Sequence, residues 1–271
     1  MNFSAKDMIR QRKSVRTFDG RSLSDTDRKK LEDYINTMMN PFDVPVEFRL
    51  LDAKEHNLSS PVIVGENTYL TAKVKKEDHY EIAYGYSFEK ACLYALSLGI
   101  GTVMLAASLS RSTFEQAMNV QDDEVLPVGS PVGYPAEKRS IRDSLMRKGL
   151  KADDRIPFGK LYYNSTFENE LTKEAAGDFA EALEMARLAP SAGNKQPWRA
   201  VVDGDKVHFY EQKSMKDSPL GDIQKVDVGI ALAHFDMTME ENGYAGSFVF
   251  DDPGIQTPAE TYYIVTYERK I

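Results

Sequence analysis

The sequence has 271 residues, 42% of them apolar and 28% charged, which suits a sizeable core under a soluble surface and allows one large or two small units. Its net charge of −8 excludes a general nucleic-acid binder, and no apolar run approaches the ~20 residues of a membrane helix. The N-terminus, MNFSAKDMIRQRK, lacks the apolar stretch of a secretory leader, and the single cysteine, Cys92, cannot form an internal disulfide, so the expected setting is the reducing cytoplasm.

The first 30 residues carry nine Lys/Arg against four Asp/Glu, a basic start to an acidic chain. Within them, RKSVRTF places Arg12, Lys13, Ser14 and Arg16 close together after a short helix. Arginine offers a planar fork that pairs with phosphate oxygens. Alone the cluster is also what a solvated helix end looks like. SLSDTDRKKLEDYINTMM predicts a helix that Ser24 can cap, with Leu31, Ile35, Met38 and Met39 on one face. NPFDVP stops it. VEFRLLD (46–52) and TYLTAKVK (68–75) predict strands, the second alternating.

YGYSFEKACLYALSLG (84–99) predicts a core helix ended by Gly99, with Cys92 a small buried hydrophobe. GTVMLAA (101–107) predicts a buried extended segment, and the glycine pair Gly99 and Gly101 would admit backbone groups close to a flat ligand. The GxG follows a helix, which is the wrong context for a dinucleotide fingerprint. LPVGSPVGYP (126–135) predicts a strand end. Residues 137–160 hold eight basic against four acidic residues, and Ala136 to Asn164 reads as a basic crossing linker. Two basic segments in an acidic chain point to one anionic ligand or to ordinary solvated faces.

After the linker the plan repeats. TKEAAGDFAEALEMARLA (172–189) predicts an amphipathic helix, RAVVDG and KVHFYEQ a hairpin around Gly204, and DIQKVDVGIALAHFDMTMEENG (222–243) a second core helix ended by Gly243. SFVFDD and TYYIVTYER predict late strands. Between helix and hairpin stands APSAGNKQPWRAVV, which has no Asp, Glu, His or Cys and so offers no general base and no metal ligand. Pro190 and Pro197 stiffen it, and Ser191, Asn194 and Gln196 present hydroxyl and amide groups that suit a neutral heteroaromatic edge or a polyol. A helix end with a turn has a similar composition. Trp198 reads as a packing residue, and the four histidines stand apart from the motifs.

IRQRKSVRTF, LAPSAGNKQPWRAVV, LYALSLGIGTVML and GYPAEKR together resemble the flavin-binding nitroreductase family, and the match touches most of the chain. The resemblance implies an α+β fold, non-covalent FMN, and hydride transfer from NAD(P)H to a small-molecule electron acceptor. It implies that Arg12, Lys13, Ser14 and Arg16 hold the FMN phosphate and ribityl chain, with Arg155 joining them, or less aptly Lys151. It places backbone groups of Leu105, Ala106 and Ala107 near the flavin ring, and Pro190, Ser191, Ala192, Asn194 and Gln196 in the loop that completes the site.

One departure stands out. In typical members the PSxxN loop follows the first basic motif after a single helix, but here that position reads MNPFDVPVEF. The second half has no RxSxR motif before its helix. Typical members are homodimers whose sites draw on both subunits. The chain therefore resembles a single-chain pseudo-dimer, with one half at residues 1–164 and another at 165–271, internally duplicated helix/antiparallel-sheet halves around a central pair of core helices. Further homodimerisation stays open. The expected function is an FMN-dependent oxidoreductase acting on nitroaromatics, quinones or similar electron-poor acceptors. A flavin-storing or sensing protein, or a specialised reaction such as reductive dehalogenation, are the alternatives.

Overall fold

The computed structural model describes residues 3–138 and 140–270. In chain order the elements are α1 (Ala5–Gln11), α2 (Asp25–Thr37), β1 (Val46–Asp52), β2 (Thr68–Lys75), α3 (Tyr80–Ser97), β3 (Gly101–Thr102), α4 (Arg111–Ala117), β4 (Glu124–Val125), β5 (Gly129–Gly133), α5 (Ile141–Gly149), β6 (Tyr162–Asn164), α6 (Ala180–Arg187), β7 (Trp198–Asp203), β8 (Lys206–Gln212), α7 (Ile223–Glu241), β9 (Gly246–Val249) and β10 (Thr261–Arg269). They form an α+β fold with two contact units. The first unit comprises Met1–Arg10, Glu81–Tyr86 and Asp153–Ile271, and the second Gln11–Tyr80 and Ser87–Ala152. No helix among the described residues is long and apolar enough to cross a membrane.

In the second unit the sheet runs β1-β2-β5-β3, all antiparallel, with β4 also paired to β2. Ser24 caps α2 by accepting the Asp27 N–H at 3.1 Å, and Leu31 and Ile35 form its buried face. Tyr34 of α2 stacks on Tyr94 of α3 at 4.0 Å, and Phe88 of α3 lies 5.8 Å from Phe48 of β1. A second layer of packing centres on Tyr69 and Phe114, edge to face at 5.0 Å. The alternation expected of β2 is absent, because an inner strand with both faces covered buries all its residues except Lys75.

In the first unit the sheet runs β6-β7-β8-β10-β9, with β6 parallel to β7 and the rest antiparallel. The β7–β8 hairpin closes over Gly204 and Asp205, with Gly204 left-handed at φ 58°. Helix α7 packs Phe235 against Phe209 of β8 and Tyr267 of β10. Leaving β6 aside, this strand order matches that of the other unit: a hairpin, a core helix, then two strands of which the later one is inserted next to the hairpin.

The two core helices also correspond. Gly99 and Gly243 end them in the left-handed region, at φ 77° and 83°. A Cβ on Gly85 would lie 1.9 Å from the Val226 carbonyl oxygen, and one on Gly229 would lie 2.2 Å from that of Ile82. The contact is reciprocal, and 144 residues separate Ile82 from Val226, Gly85 from Gly229 and Gly99 from Gly243. Only glycine lets two helix backbones approach this closely.

Further sequence expectations change. Helix α3 begins at Tyr80, four residues early, after a left-handed His79 that gives no side-chain cap. The stretch read as a linker contains α5 and β6. Residues 153–164, read with the N-terminal half, pack with the C-terminal sheet instead, because Tyr162–Asn164 pair with Ala200–Val202 of β7.

Candidate functional site

The basic motif forms an extended strip in the second unit. Ser14 bridges Thr102 of β3, with the Val15 N–H donating to the Thr102 carbonyl at 2.9 Å. Thr17 bridges Val64, and Phe18 bridges Pro135. Gly101 is required here, since a Cβ would meet the Val15 side chain at 2.8 Å. The glycine pair expected to admit a ligand thus has two structural tasks: Gly99 ends α3 and Gly101 admits Val15.

Lys13 is exposed, whereas Arg12 and Ser14 are half-buried and Arg16 is buried. Arg12 Nε lies 2.8 Å from Oε1 of Glu89, a fully buried carboxylate on α3. Arg16, buried, donates from Nη1 to Oδ1 of buried Asp143 on α5 at 3.2 Å. Its Nε is buried and makes no hydrogen bond among the described residues. Sequence reasoning found both cations and neither partner. The signal for Glu89 was present, as an acid inside an otherwise apolar helix.

Leu105, Ala106 and Ala107 follow β3 in the same unit. Leu105 exchanges both backbone hydrogen bonds with Gly129, at 2.8 and 3.0 Å, so only the segment beyond it is open, and Ala107 is exposed. Arg111 at the start of α4 fixes this segment by donating to the carbonyls of Ala106 at 3.0 Å, Leu126 and Pro127. Cys92 is buried, and burial beside Glu89 pushes its thiol up to about 12.

The proline-bracketed loop belongs to the first unit. Gly193, Asn194 and Gln196 are all left-handed, with φ of 57°, 55° and 50°. Glycine and asparagine tolerate that region; glutamine does not favour it and is held there by its bonds. The Gln196 N–H donates to Ser191 Oγ at 2.9 Å, and its Oε1 accepts from the Ile156 N–H at 2.9 Å. Its Nε2 donates to the Asn194 carbonyl and to Asn194 Oδ1, both at 3.3 Å. Asn194 Nδ2 donates to the Asp154 carbonyl at 3.1 Å. The amides expected to read a ligand edge therefore join the loop to residues 154–156. Arg155 is in this unit too, donating to the carbonyls of Asp154 at 2.8 Å and Leu188 at 3.1 Å. Lys151 lies in the other unit and is exposed. Pro190 leads into the loop and Trp198 leaves it, 1% exposed, as a packing residue.

Acids underlie the loop. Asp227 on α7 takes the Ala192 N–H on both carboxylate oxygens, at 3.1 and 3.0 Å. Burial holds its carboxyl well above the usual range, and the Ala192 bond only partly opposes this. Glu211 stands directly across the sheet from Trp198 and is fully buried. Burial, with Asp222 beside it, pushes Glu211 up to about 7, against the opposing pull of Lys213. Asp222 caps α7 through the Gln224 N–H at 2.9 Å and pairs with Lys213 at 2.7 Å. Sequence reasoning missed this group, although an acid in the apolar run VDVGIAL was its visible trace.

The family model described as "Putative TM nitroreductase" matches residues 4–239. A crystal structure of a putative nitroreductase from Thermotoga maritima is similar over 99% of this chain and 94% of that one, with 21% identity and a TM-score of 0.64. A crystal structure described as an oxidoreductase containing FMN is similar over 62% of this chain and 94% of that one, with 13% identity and a TM-score of 0.51. At these identities the likeness is one of fold. No curated protein matches the sequence.

Proposed function

The chain belongs to this nitroreductase family, and on that premise we propose that it is an FMN-dependent oxidoreductase passing reducing equivalents from NAD(P)H to nitroaromatics, quinones or similar electron-poor acceptors. The observation that carries the reading is Arg16, a buried guanidinium whose Nε has no hydrogen-bond partner among the described residues, on a strip locked by β3. A buried donor of this kind fits a phosphate monoester, which brings the acceptor oxygens that the guanidinium fork matches. Bound FMN would supply the redox chemistry, accepting a hydride equivalent and returning electrons to the acceptor.

The chain's own residues hold and orient. Arg16 would carry the phosphate, with Ser14 two residues before it on the strip. Arg12 is neutralised by Glu89 and contributes mainly by fixing the strip to α3. The backbone from Leu105 to Ala107, set by Gly129 and Arg111, presents a fixed edge to the ring. In the loop, the side chains of Asn194 and Gln196 keep the backbone of Pro190, Ser191 and Ala192 in one conformation, so the loop acts through its shape.

A single-chain pseudo-dimer is part of the same proposal. It is supported by the matching strand orders, the reciprocal glycine crossing and the single copy of each motif. One chain then binds one FMN, and further homodimerisation is not needed to complete the motif set. The test is an absorbance spectrum of the purified protein with flavin and chain quantified, followed by NADH or NADPH and a panel of acceptors. The expected result is one FMN per chain, bleached by reductant and restored by acceptor. A protein that binds no flavin, or holds it without turnover, would overturn the enzymatic reading.

A further inference from the structure

We infer that Asp143 is a specificity-determining residue that sets how strongly this protein prefers a phosphorylated flavin over an unphosphorylated one. It does so by holding a fixed carboxylate on the guanidinium that receives the phosphate. The inference rests on the assignment of Arg16 to that phosphate.

Asp143 is 3% exposed and Arg16 is 8% exposed, so water screens their contact weakly. The carboxylate is also placed there by construction. Ser140 opens α5: its carbonyl accepts the Ser144 N–H at 3.1 Å, and its Oγ accepts the Asp143 N–H at 3.1 Å. This is one half of a capping box. In the complete box the acidic side chain three residues on returns to the cap's own N–H. Here that N–H donates to Thr17 Oγ1 at 3.2 Å, and the Asp143 carboxylate is turned to Arg16. The Ser140 N–H is thus satisfied without the Asp143 carboxylate, and Thr17, the residue after Arg16, ties the cap to the strip that carries the cation.

A phosphate monoester arriving at Arg16 brings a charge of about −1.5 to −2 at pH 7. It must share the guanidinium with Asp143 through the remaining N–H donors, the buried Nε among them, or displace the carboxylate. Either way Asp143 opposes the phosphate. A flavin without a phosphate meets no such opposition. Neutralising Asp143 removes the like charge and leaves only a neutral amide oxygen for Nη1, which a phosphate displaces more readily, and both changes favour the phosphorylated ligand.

The experiment measures dissociation constants for FMN and riboflavin on flavin-free wild type, Asp143→Asn and Asp143→Glu. The expected result is FMN binding about tenfold tighter in Asp143→Asn, riboflavin unchanged, and a wild-type ratio in Asp143→Glu, which keeps the charge. Unchanged or weaker FMN binding in Asp143→Asn with riboflavin unchanged would overturn the inference, since Asp143 would then only organise the site. If wild type does not prefer FMN to riboflavin, the assignment of Arg16 to the flavin phosphate fails. Inorganic phosphate then decides the inference: a larger phosphate-induced rise in melting midpoint for Asp143→Asn supports it, and an equal rise overturns it.

Discussion

The basic strip and the proline-bracketed loop are the two most distinctive stretches of the sequence, and they use their polar groups in opposite ways. On the strip, Arg16 contacts Asp143 and keeps a buried donor with no hydrogen-bond partner among the described residues. In the loop, the carboxamides of Asn194 and Gln196 bond to each other, to the Asp154 carbonyl and to the Ile156 N–H. Buried donors are costly to leave unpaired, so the first arrangement suits a ligand that completes it. The second already bonds its amides within the chain, which suits a scaffolding role. A polar motif therefore does not mark a contact surface until its own hydrogen bonds have been counted.

The largest expected effect sharpens the scaffold side of this contrast. Glu211 holds its proton to about 7 in the folded chain, against an ordinary carboxyl value of 4.5. Below that ordinary value both states are protonated and the group is neutral in stability. As pH rises from there to about 7, the unfolded state releases the proton and the folded state keeps it, so stability is lost. Glu211→Gln should flatten this slope and raise stability at pH 8 by about 3 kcal/mol, read from urea melts across pH. A remaining slope of the same sign is expected from Asp227, whose carboxyl is also held up by burial. An unchanged slope would mean that Glu211 is ionised in the fold. The smaller effect tests the loop itself. Gln196→Ala removes the acceptor of the Ile156 N–H and should cost about 1–3 kcal/mol, with faster amide exchange at Ile156. If it lowers FMN affinity instead and leaves stability alone, the contrast between strip and loop breaks.

Much of the frame was legible because it rests on local signals. The bounds of β1 and β2 follow from apolar runs between turn residues, and α2 from the Ser24 cap. Gly99 and Gly243 marked the ends of both core helices. What escaped depends on partners far away in sequence. β6 is three residues long and exists by pairing with β7, and β2 is buried on both faces by residues distant in sequence, Phe114 and Met118 covering Tyr69 and Thr71 on one of them. The arginines of the strip were visible as a motif. Asp143, 127 residues from Arg16, was not, because nothing local tells a capping acid from an ion-pair partner. Asn194 and Gln196 were read as amides facing a ligand, and their hydrogen-bond partners at residues 154 and 156 lay in a stretch that reads as a linker.

The central claim is that Arg16 receives the phosphate of a bound flavin, and the most direct measurement is the ratio of FMN to riboflavin affinity in wild type and Arg16→Ala. Loss of a charge-assisted bond should lower FMN affinity by about 1.5–3 kcal/mol, roughly 10- to 150-fold, and leave riboflavin affinity unchanged. A ratio that does not move, whether both affinities hold or both fall together, would contradict the account.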